Sequence, residues 1–509
     1  MTNIKRAQTS IEFLTSQGVR EFVICAGARN APFVHALHRA ENLRTYSFFD
    51  ERAAGFFALG RIKADRRPVA VCTTSGTAVA ELLPSVVEAD LQRLPLVLLT
   101  ADRPIHYRGT GAPQTIEQIG IFSHYVEYSV DVKETQDLAN LRLGSRPLHL
   151  NVPFSEDLVD HPLGQWSPSL GDWAPAPSSE LELSKVEFSG IKRPLIIVSG
   201  LSESQAPGLI PLLKNWQRPL FLESTSLLRG HAELAGLEIR GGERSLKSLE
   251  FDGVIRIGGV PTLKPWRQWE EASFPVLNFS DGPWTGMPRA NRPWPIAALF
   301  DVVAEFTPWT QSERATDFSH EARLTAATKA FPTSEPAWIQ RLGHWVPDSS
   351  TVFVGNSLPI RFWDLVAPRG KNLQVHANRG ANGIDGLIST FLGLAADRSE
   401  SWCVLGDLST LYDLNALWSA GQIQSRRLTI AVIHNGGGQI FERMFHDEAF
   451  LNSHDLNFAG WAQMWGWDYH RLEDPDAVPP VWQGRPRVLE IRPNAEATRA
   501  WHTMREEGQ

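Results

Sequence analysis

The sequence predicts an α/β protein of three tandem domains with parallel sheets, over about residues 1–165, 186–308 and 320–509. Three observations lead there. A chain of 509 residues exceeds what one hydrophobic core usually organises. Short apolar, β-branched runs alternate with helix-length intervals along the chain, the signature of parallel strands covered by helices. In the middle third each run ends in glycine, serine or aspartate, where turns and ligands commonly sit.

In the first domain the strand candidates are EFVICA, VAVCTT from Val69, LPLVLLT, and PLHLNVP ending at Pro153. The stretch from Trp166 to Ser184, rich in Ser, Pro, Gly and Asp, reads as a linker. The runs PLIIVSG, PLFLES, GVIRIGG and PVLNFSD follow between Pro194 and about Phe306, with no phosphate-binding fingerprint after any of them. The third domain opens after a polar segment near Thr310 to His320 and carries TVFVG, SWCVLGD, LTIAVIH and RVLEI. The final residues, MREEGQ, read as a solvated end, and no short-period repeat is visible.

Apolar residues make up 42% and charged residues 21%, ordinary for a soluble globular protein. A net charge of -8 argues against a nucleic-acid surface. Cys25, Cys72 and Cys403 each sit in an apolar run and make no disulfide framework, so a reducing cytoplasm is expected. No apolar stretch approaches the roughly 18 residues of a membrane span, and MTNIKRAQTS lacks an apolar signal segment. Neither membrane insertion nor export is expected. The 18 tryptophans are read as packing residues.

The most specific chemistry lies in Gly406-Asp407-Leu408-Ser409, between an apolar strand and the helical stretch TLYDLNALWSAG. Glycine at a strand end lets backbone N–H groups approach a phosphate, and the aspartate beside it can hold a hard cation. After one more strand comes Asn435 in His434-Asn435-Gly436-Gly437-Gly438, whose side-chain and backbone carbonyls can complete an oxygen cage for Mg²⁺. His434 reads as the last residue of that strand, because imidazole suits a hard-oxygen site poorly. Earlier, Ser47-Phe48-Phe49-Asp50-Glu51-Arg52 precedes a small-residue helix. Alone it is a helix cap with a favourable dipole interaction.

Together these segments resemble the thiamine diphosphate-dependent enzymes, whose signature conventionally runs from Gly-Asp-Gly to Asn-Asn. The Gly-Asp-Leu-Ser form resembles the menaquinone-pathway synthases, the MenD family, whereas His434 departs from both patterns. The resemblance implies a thiamine diphosphate-binding fold, with a pyrimidine-binding domain first, a central α/β domain, and a diphosphate-binding domain last. It implies Asp407, Asn435 and the Gly437 carbonyl as ligands of Mg²⁺, with Mn²⁺ as an alternative. Gly406, Leu408, Ser409, Ser75 and Thr77 would bind the cofactor, and Ile384 and Ile440 would pack against it. Glu51 would be the carboxylate that activates the aminopyrimidine ring. The superfamily builds each site from two domains, typically across a subunit interface, so a homodimer or homotetramer is implied.

Further segments resemble the menaquinone-pathway synthases in particular: Gly27 to Pro32, Thr100 to Pro104, Gly355 to Leu358 with Arg361, Asn378 to Gly380, and Gln439 to Phe441. The implied substrates, 2-oxoglutarate and isochorismate, are dicarboxylates, and guanidinium forks bind carboxylates bidentately. Arg29, Arg103, Arg361 and Arg379 are the candidates, with Gln114 and Ser357 as polar partners, Lys264 from the middle domain, and Ile440 and Phe441 as an apolar wall. Arg29, Gln114, Arg361 and Arg379 join Glu51 as catalytic candidates. The implied reaction decarboxylates 2-oxoglutarate and adds the four-carbon unit to isochorismate. The alternatives are another thiamine diphosphate-dependent 2-oxoacid decarboxylase or acetolactate-type synthase, and a catalytically silent binding protein. Two departures bear on substrate affinity. Ala28 stands where the family usually has serine, a hydrogen bond to a charged group worth roughly 1.5–3 kcal/mol. Pro265 replaces the arginine that usually follows Lys264, leaving Arg267 as the nearby cation.

Overall fold

The computed structural model describes residues 1–174, 188, 190–288, 293–301 and 304–506. The expected boundary at 186 and the end of the expected linker lie outside these residues. The described strands form three sheets, parallel throughout. The first holds β1 (Glu21–Cys25), β2 (Arg44–Phe48), β3 (Val69–Thr73), β4 (Leu96–Asp102), β5 (Tyr128–Asp131) and β6 (Leu148–Pro153), in the order β2-β1-β3-β4-β6-β5. The second holds β7 (Pro194–Ser199), β8 (Leu220–Leu222), β9 (Gly253–Gly258) and β10 (Val276–Phe279), in the order β10-β9-β7-β8. The third holds β11 (Thr351–Val354), β12 (Gln374–His376), β13 (Glu400–Gly406), β14 (Arg427–Ile433), β15 (Asp468–Leu472) and β16 (Arg487–Ile491), in the order β12-β11-β13-β14-β16-β15. The first and third sheets thus repeat one topology, a duplication the sequence does not display.

The chain packs as two compact units. One comprises Met1–Pro177, Gly380–Arg398 and Leu411–Ser425; the other comprises Ser178–Arg379, Ser399–Thr410 and Arg426–Gln509. In the first unit, β3, β4 and β6 are buried along their whole length, as apolar strands covered on both faces must be. There helix Glu51–Asp65 packs against helix Leu387–Ala395, every residue of which is buried. Glycine allows that approach. A Cβ on Gly60 would stand 2.0 Å from the Thr390 carbonyl oxygen, and one on Gly393 would stand 2.1 Å from that of Phe57. Arg61, 1% exposed on the same helix, is held by Glu21 at 2.7 Å, Asp65 at 2.9 Å and Asp397 at 2.8 Å. A buried guanidinium requires such pairing.

Two readings of the sequence change. The polar segment near Thr310 to His320 is the start of helix Gln311–Ala330, which Thr310 and Glu313 open with a reciprocal capping box. Its Leu324 and Ala327 enter the core of the third sheet. The expected linker is not free at its start: the Trp166 indole donates to the Ala36 carbonyl at 2.8 Å, and the Trp173 indole to that of Leu143 at 3.2 Å. The chain end is helical through Glu506, in helix Ala495–Glu506. Cys25, Cys72 and Cys403 are buried in β1, β3 and β13 and form no disulfide. Among the tryptophans, Trp216, Trp266, Trp338, Trp363, Trp402 and Trp501 are fully buried packing residues. No helix among the described residues is long and apolar enough to cross a membrane.

Candidate active site

In the second unit, β13 and β14 pair in register from Glu400↔Arg427 to Gly406↔Ile433, so the residues that follow them emerge side by side. The buried Asp407 carboxylate accepts from the backbone N–H of Leu408 at 2.7 Å, Gly436 at 2.8 Å and Gly437 at 3.0 Å. Burial raises its pKa against these bonds and against His454 and His434. Gly437 has to be glycine: its φ is 133°, and a Cβ would stand 2.4 Å from the Leu451 carbonyl oxygen. Its own carbonyl accepts from Gln439 N–H at 2.9 Å. Asn435 Nδ2 donates to Glu335 at 2.9 Å, while Asn435 Oδ1 is buried with no partner among the described residues. An aspartate oxygen and an orphaned amide oxygen on adjoining strand ends fit a hard cation. Gly406 and Leu408 are half-buried and Ser409 is buried alongside.

Sequence reasoning missed the supports of this loop. Glu335, the first residue of helix Glu335–Trp345, is 2% exposed, and burial, followed by the charge of Asp407, pushes it up to about 7 against the Asn435 hydrogen bond. Its single sequence signal was Ser334 before a helical run. Glu490, fully buried in β16, accepts from His434 Nδ1, Phe458 N–H and the Tyr469 hydroxyl at 2.9 Å each, and from Arg492 at 2.8 Å. These donors hold it at about 2 although burial acts the other way. A glutamate inside the apolar run RVLEI was the available signal.

The same unit carries the cationic candidates. Arg379 donates to Asn356 Oδ1 at 2.8 Å and to Thr262 Oγ1 at 3.0 Å. Arg361, exposed at the start of helix Leu358–Val366, has its pKa lowered by partial burial and then by the charges of Arg379 and Arg267. Ser357 precedes that helix at φ 73° and accepts from Arg361 through its carbonyl at 2.6 Å. Lys264 is exposed; its backbone N–H donates to Glu243 at 2.9 Å. Glu243 and Asp364 act on Arg361 in the opposite sense, so cations and acids are mixed in this group. Arg267 belongs to this group, and Pro265, in the first turn of its short helix, brings no cation. Phe441 is exposed and stacks on Phe445 with centroids 6.0 Å apart; Ile440 is half-buried.

Beneath the arginines lies a buried acid pair. Burial, then the charge of Asp364, pushes Glu223 up to about 7 against Arg379, and burial raises Asp364 in turn. Because the folded-state pKa exceeds the unfolded value of about 4.3, the protonated carboxyl contributes stability that is complete below that value and is lost as pH rises through about 7. Unfolding free energy of Glu223→Gln should therefore rise relative to wild type between pH 5 and pH 8, on the order of 2–3 kcal/mol by denaturant titration. Parallel curves for the two proteins would contradict this.

The remaining candidates lie in the first unit. Glu51 is the first residue of helix Glu51–Asp65, behind the Asp50 cap, whose carboxylate accepts from Ala53 N–H at 2.9 Å. Its pKa is raised by burial and then by Asp50 and Glu81. Buried Ser75 donates to the Gln114 carbonyl at 2.9 Å, which brings these two candidates together; Gln114 has φ 55° and an exposed side chain. Thr77, exposed, starts the short helix Thr77–Ala80. Buried Gln118, which the sequence did not single out, accepts from Gly76 N–H at 3.0 Å. Arg29 and Arg103 engage different partners. Arg29, 8% exposed, donates to the Phe154 carbonyl at 3.1 Å and pairs with Glu156 at 3.2 Å. Arg103 donates to the Pro113 carbonyl at 2.9 Å. Ala28 accepts from Ala31 N–H at 3.1 Å in the turn after β1. Ile384, although late in the sequence, lies in this unit, half-buried.

Parallel α/β domains, a Gly-Asp strand end beside an asparagine loop, and a glutamate opening a small-residue helix define a thiamine diphosphate-dependent enzyme. Residues 4–121 match the family model of the thiamine pyrophosphate enzyme N-terminal TPP binding domain. The 2-succinyl-5-enolpyruvyl-6-hydroxy-3-cyclohexene-1-carboxylate synthase of Bdellovibrio bacteriovorus is 43% identical over 98% of this chain and 98% of its own length. Proteins of the same name are 36% identical in Chloroflexus aurantiacus, over 94% of this chain and 92% of theirs, and 34% identical in Akkermansia muciniphila, over 94% of each. The chain belongs to the 2-succinyl-5-enolpyruvyl-6-hydroxy-3-cyclohexene-1-carboxylate synthase family, the MenD family.

Proposed function

We infer that the enzyme decarboxylates 2-oxoglutarate and adds the resulting four-carbon unit to isochorismate, giving 2-succinyl-5-enolpyruvyl-6-hydroxy-3-cyclohexene-1-carboxylate in menaquinone or phylloquinone biosynthesis. What supports this reading is the likeness over nearly the whole chain to a synthase of that name, together with the group of Arg361, Arg379 and Arg267 in one unit, Arg379 being held by Asn356 Oδ1 and Thr262 Oγ1. Several guanidinium groups suit two dicarboxylate substrates better than the single monocarboxylate of a simple 2-oxoacid decarboxylase. Asp407, Asn435 Oδ1 and the Gly437 carbonyl hold Mg²⁺, or Mn²⁺ in its place. Bound thiamine diphosphate supplies the carbanion chemistry.

Glu51 holds and moves the proton at the aminopyrimidine ring, a task suited to a carboxyl raised by burial. Ser75, Thr77, Gly406, Leu408 and Ser409 place the cofactor, and Ile384 and Ile440 pack against it. Arg29, Arg103, Lys264, Gln114 and Ser357 complete the substrate contacts, with Phe441 as an apolar wall. We assign one domain to each sheet, near residues 1–165, 186–308 and 320–509. A homodimer or homotetramer in the cytoplasm, with sites at the subunit interface, is the assembly this reading requires.

Purified protein with Mg²⁺ and thiamine diphosphate should consume isochorismate only when 2-oxoglutarate is present, followed by the loss of isochorismate absorbance and by carbon dioxide release. Release of carbon dioxide with isochorismate untouched would make the protein a decarboxylase. Failure to bind the cofactor at all would make it a silent binding protein.

A further inference from the structure

His434 stands where the thiamine diphosphate signature conventionally has asparagine, and its role in the strand end is only half filled. The residue is 4% exposed. Its Nδ1 lies 2.9 Å from Glu490, a carboxylate that can only accept, so Nδ1 carries the proton. Nε2 is buried and without a hydrogen-bond partner among the described residues, and in the neutral ring, whose one proton Glu490 keeps on Nδ1, it offers a lone pair. A carboxylate that fixes an imidazole through one nitrogen and frees the other is the usual support of a metal-ligating histidine. One ring nitrogen each of His434 and His454 and one carboxylate oxygen of Asp407 lie within 4.8 Å of one another, a little wider than the roughly 3–4.3 Å between donors around one octahedral ion.

His454 is the less suitable imidazole. Its Nδ1 accepts from Leu456 N–H at 3.3 Å, which places its proton on Nε2, the nitrogen 3.5 Å from Asp407. A protonated nitrogen offers no lone pair.

We propose that His434 Nε2 is a direct ligand of the divalent cation that Asp407 and Asn435 hold, and that it shifts the site's preference from Mg²⁺ toward Mn²⁺ and Co²⁺. The inference rests on the cation site assigned above. Imidazole gains little from Mg²⁺, which demands oxygen, and binds later first-row ions progressively better.

The test uses full-length protein, thiamine diphosphate and Mn²⁺ as the probe, read by electron spin echo envelope modulation. Directly bound imidazole gives a ¹⁴N modulation, and uniform ¹⁵N-histidine labelling of the wild type should convert it to a ¹⁵N pattern without any variant being needed. In His434→Asn the modulation should vanish and Mn²⁺ should bind roughly tenfold more weakly, while Mg²⁺ affinity changes much less. Glu490 keeps Arg492, Tyr469 and Phe458 N–H in that variant, so it is not orphaned. His454→Gln should leave the modulation in place. Mn²⁺ bound in an Asp407-dependent way without histidine modulation, or modulation lost only in His454→Gln, would overturn the inference while leaving the cation site standing. Mn²⁺ binding unaffected by Asp407→Ala would overturn the site itself.

Discussion

Glu51→Gln should lower the rate of isochorismate consumption by about 10²–10⁴-fold, the usual contribution of a positioned acid–base group. Glutamine keeps the length and shape of the side chain at the first turn of helix Glu51–Asp65, and the Asp50 cap on Ala53 does not involve Glu51. What it removes is the capacity to take and return a proton. Thiamine diphosphate affinity, measured by calorimetry, should change far less than turnover, because the residues proposed to hold the diphosphate are those around Asp407. A variant retaining more than a tenth of wild-type turnover would remove Glu51 from the proton path and leave it as a helix residue.

Asp407→Ala should weaken Mg²⁺-dependent cofactor binding by more than about 100-fold, since losing even a supporting residue of a metal ligand typically costs 10–100-fold. It should also destabilise the protein without cofactor. The carboxylate satisfies three backbone N–H groups, of Leu408, Gly436 and Gly437, and an unpaired buried donor costs roughly 1–3 kcal/mol. Two readouts separate the effects: cofactor titration with and without Mg²⁺, and thermal unfolding in chelator. Binding within about threefold of wild type would show that the cation is held elsewhere. A large binding loss with unchanged unfolding would show that solvent replaces the carboxylate in the loop.

The candidate residues were legible unevenly. Asp407 and Asn435 stand out because phosphate and cation chemistry demands particular residue types just past apolar strands, and those strands advertise themselves. Glu335 and Glu490 give no such signal, since their importance comes from what folds against them: Asn435 from a distant loop, and His434 from the neighbouring strand. Residue type and position place His434 at a strand end, whereas the engagement of its Nδ1 by Glu490 is visible only in the fold. Arg29 and Arg103 looked equivalent in sequence, yet one is buried against Glu156 and the other binds a loop carbonyl.

What the sequence determined by itself is the whole central sheet and the interior of the two six-stranded sheets. All four strands of the central sheet, and β1, β3, β4, β6, β11, β13, β14 and β16 of the other two, were readable as apolar runs. Strands covered on both faces need continuous apolar side chains. The strands it did not reveal are β2, β5, β12 and β15, and these are the four edges of the two six-stranded sheets. Their residues are mostly half-buried or exposed. Unlike the apolar edges β8 and β10 of the central sheet, these four take their conformation from hydrogen bonds to one neighbour rather than from their own apolar content, so only the tertiary structure decides them. The same reason hid the repeated strand order of the first and third sheets, and the packing of Gly380–Arg398 and Leu411–Ser425 into the first unit, where Gly60 and Gly393 let two helices touch.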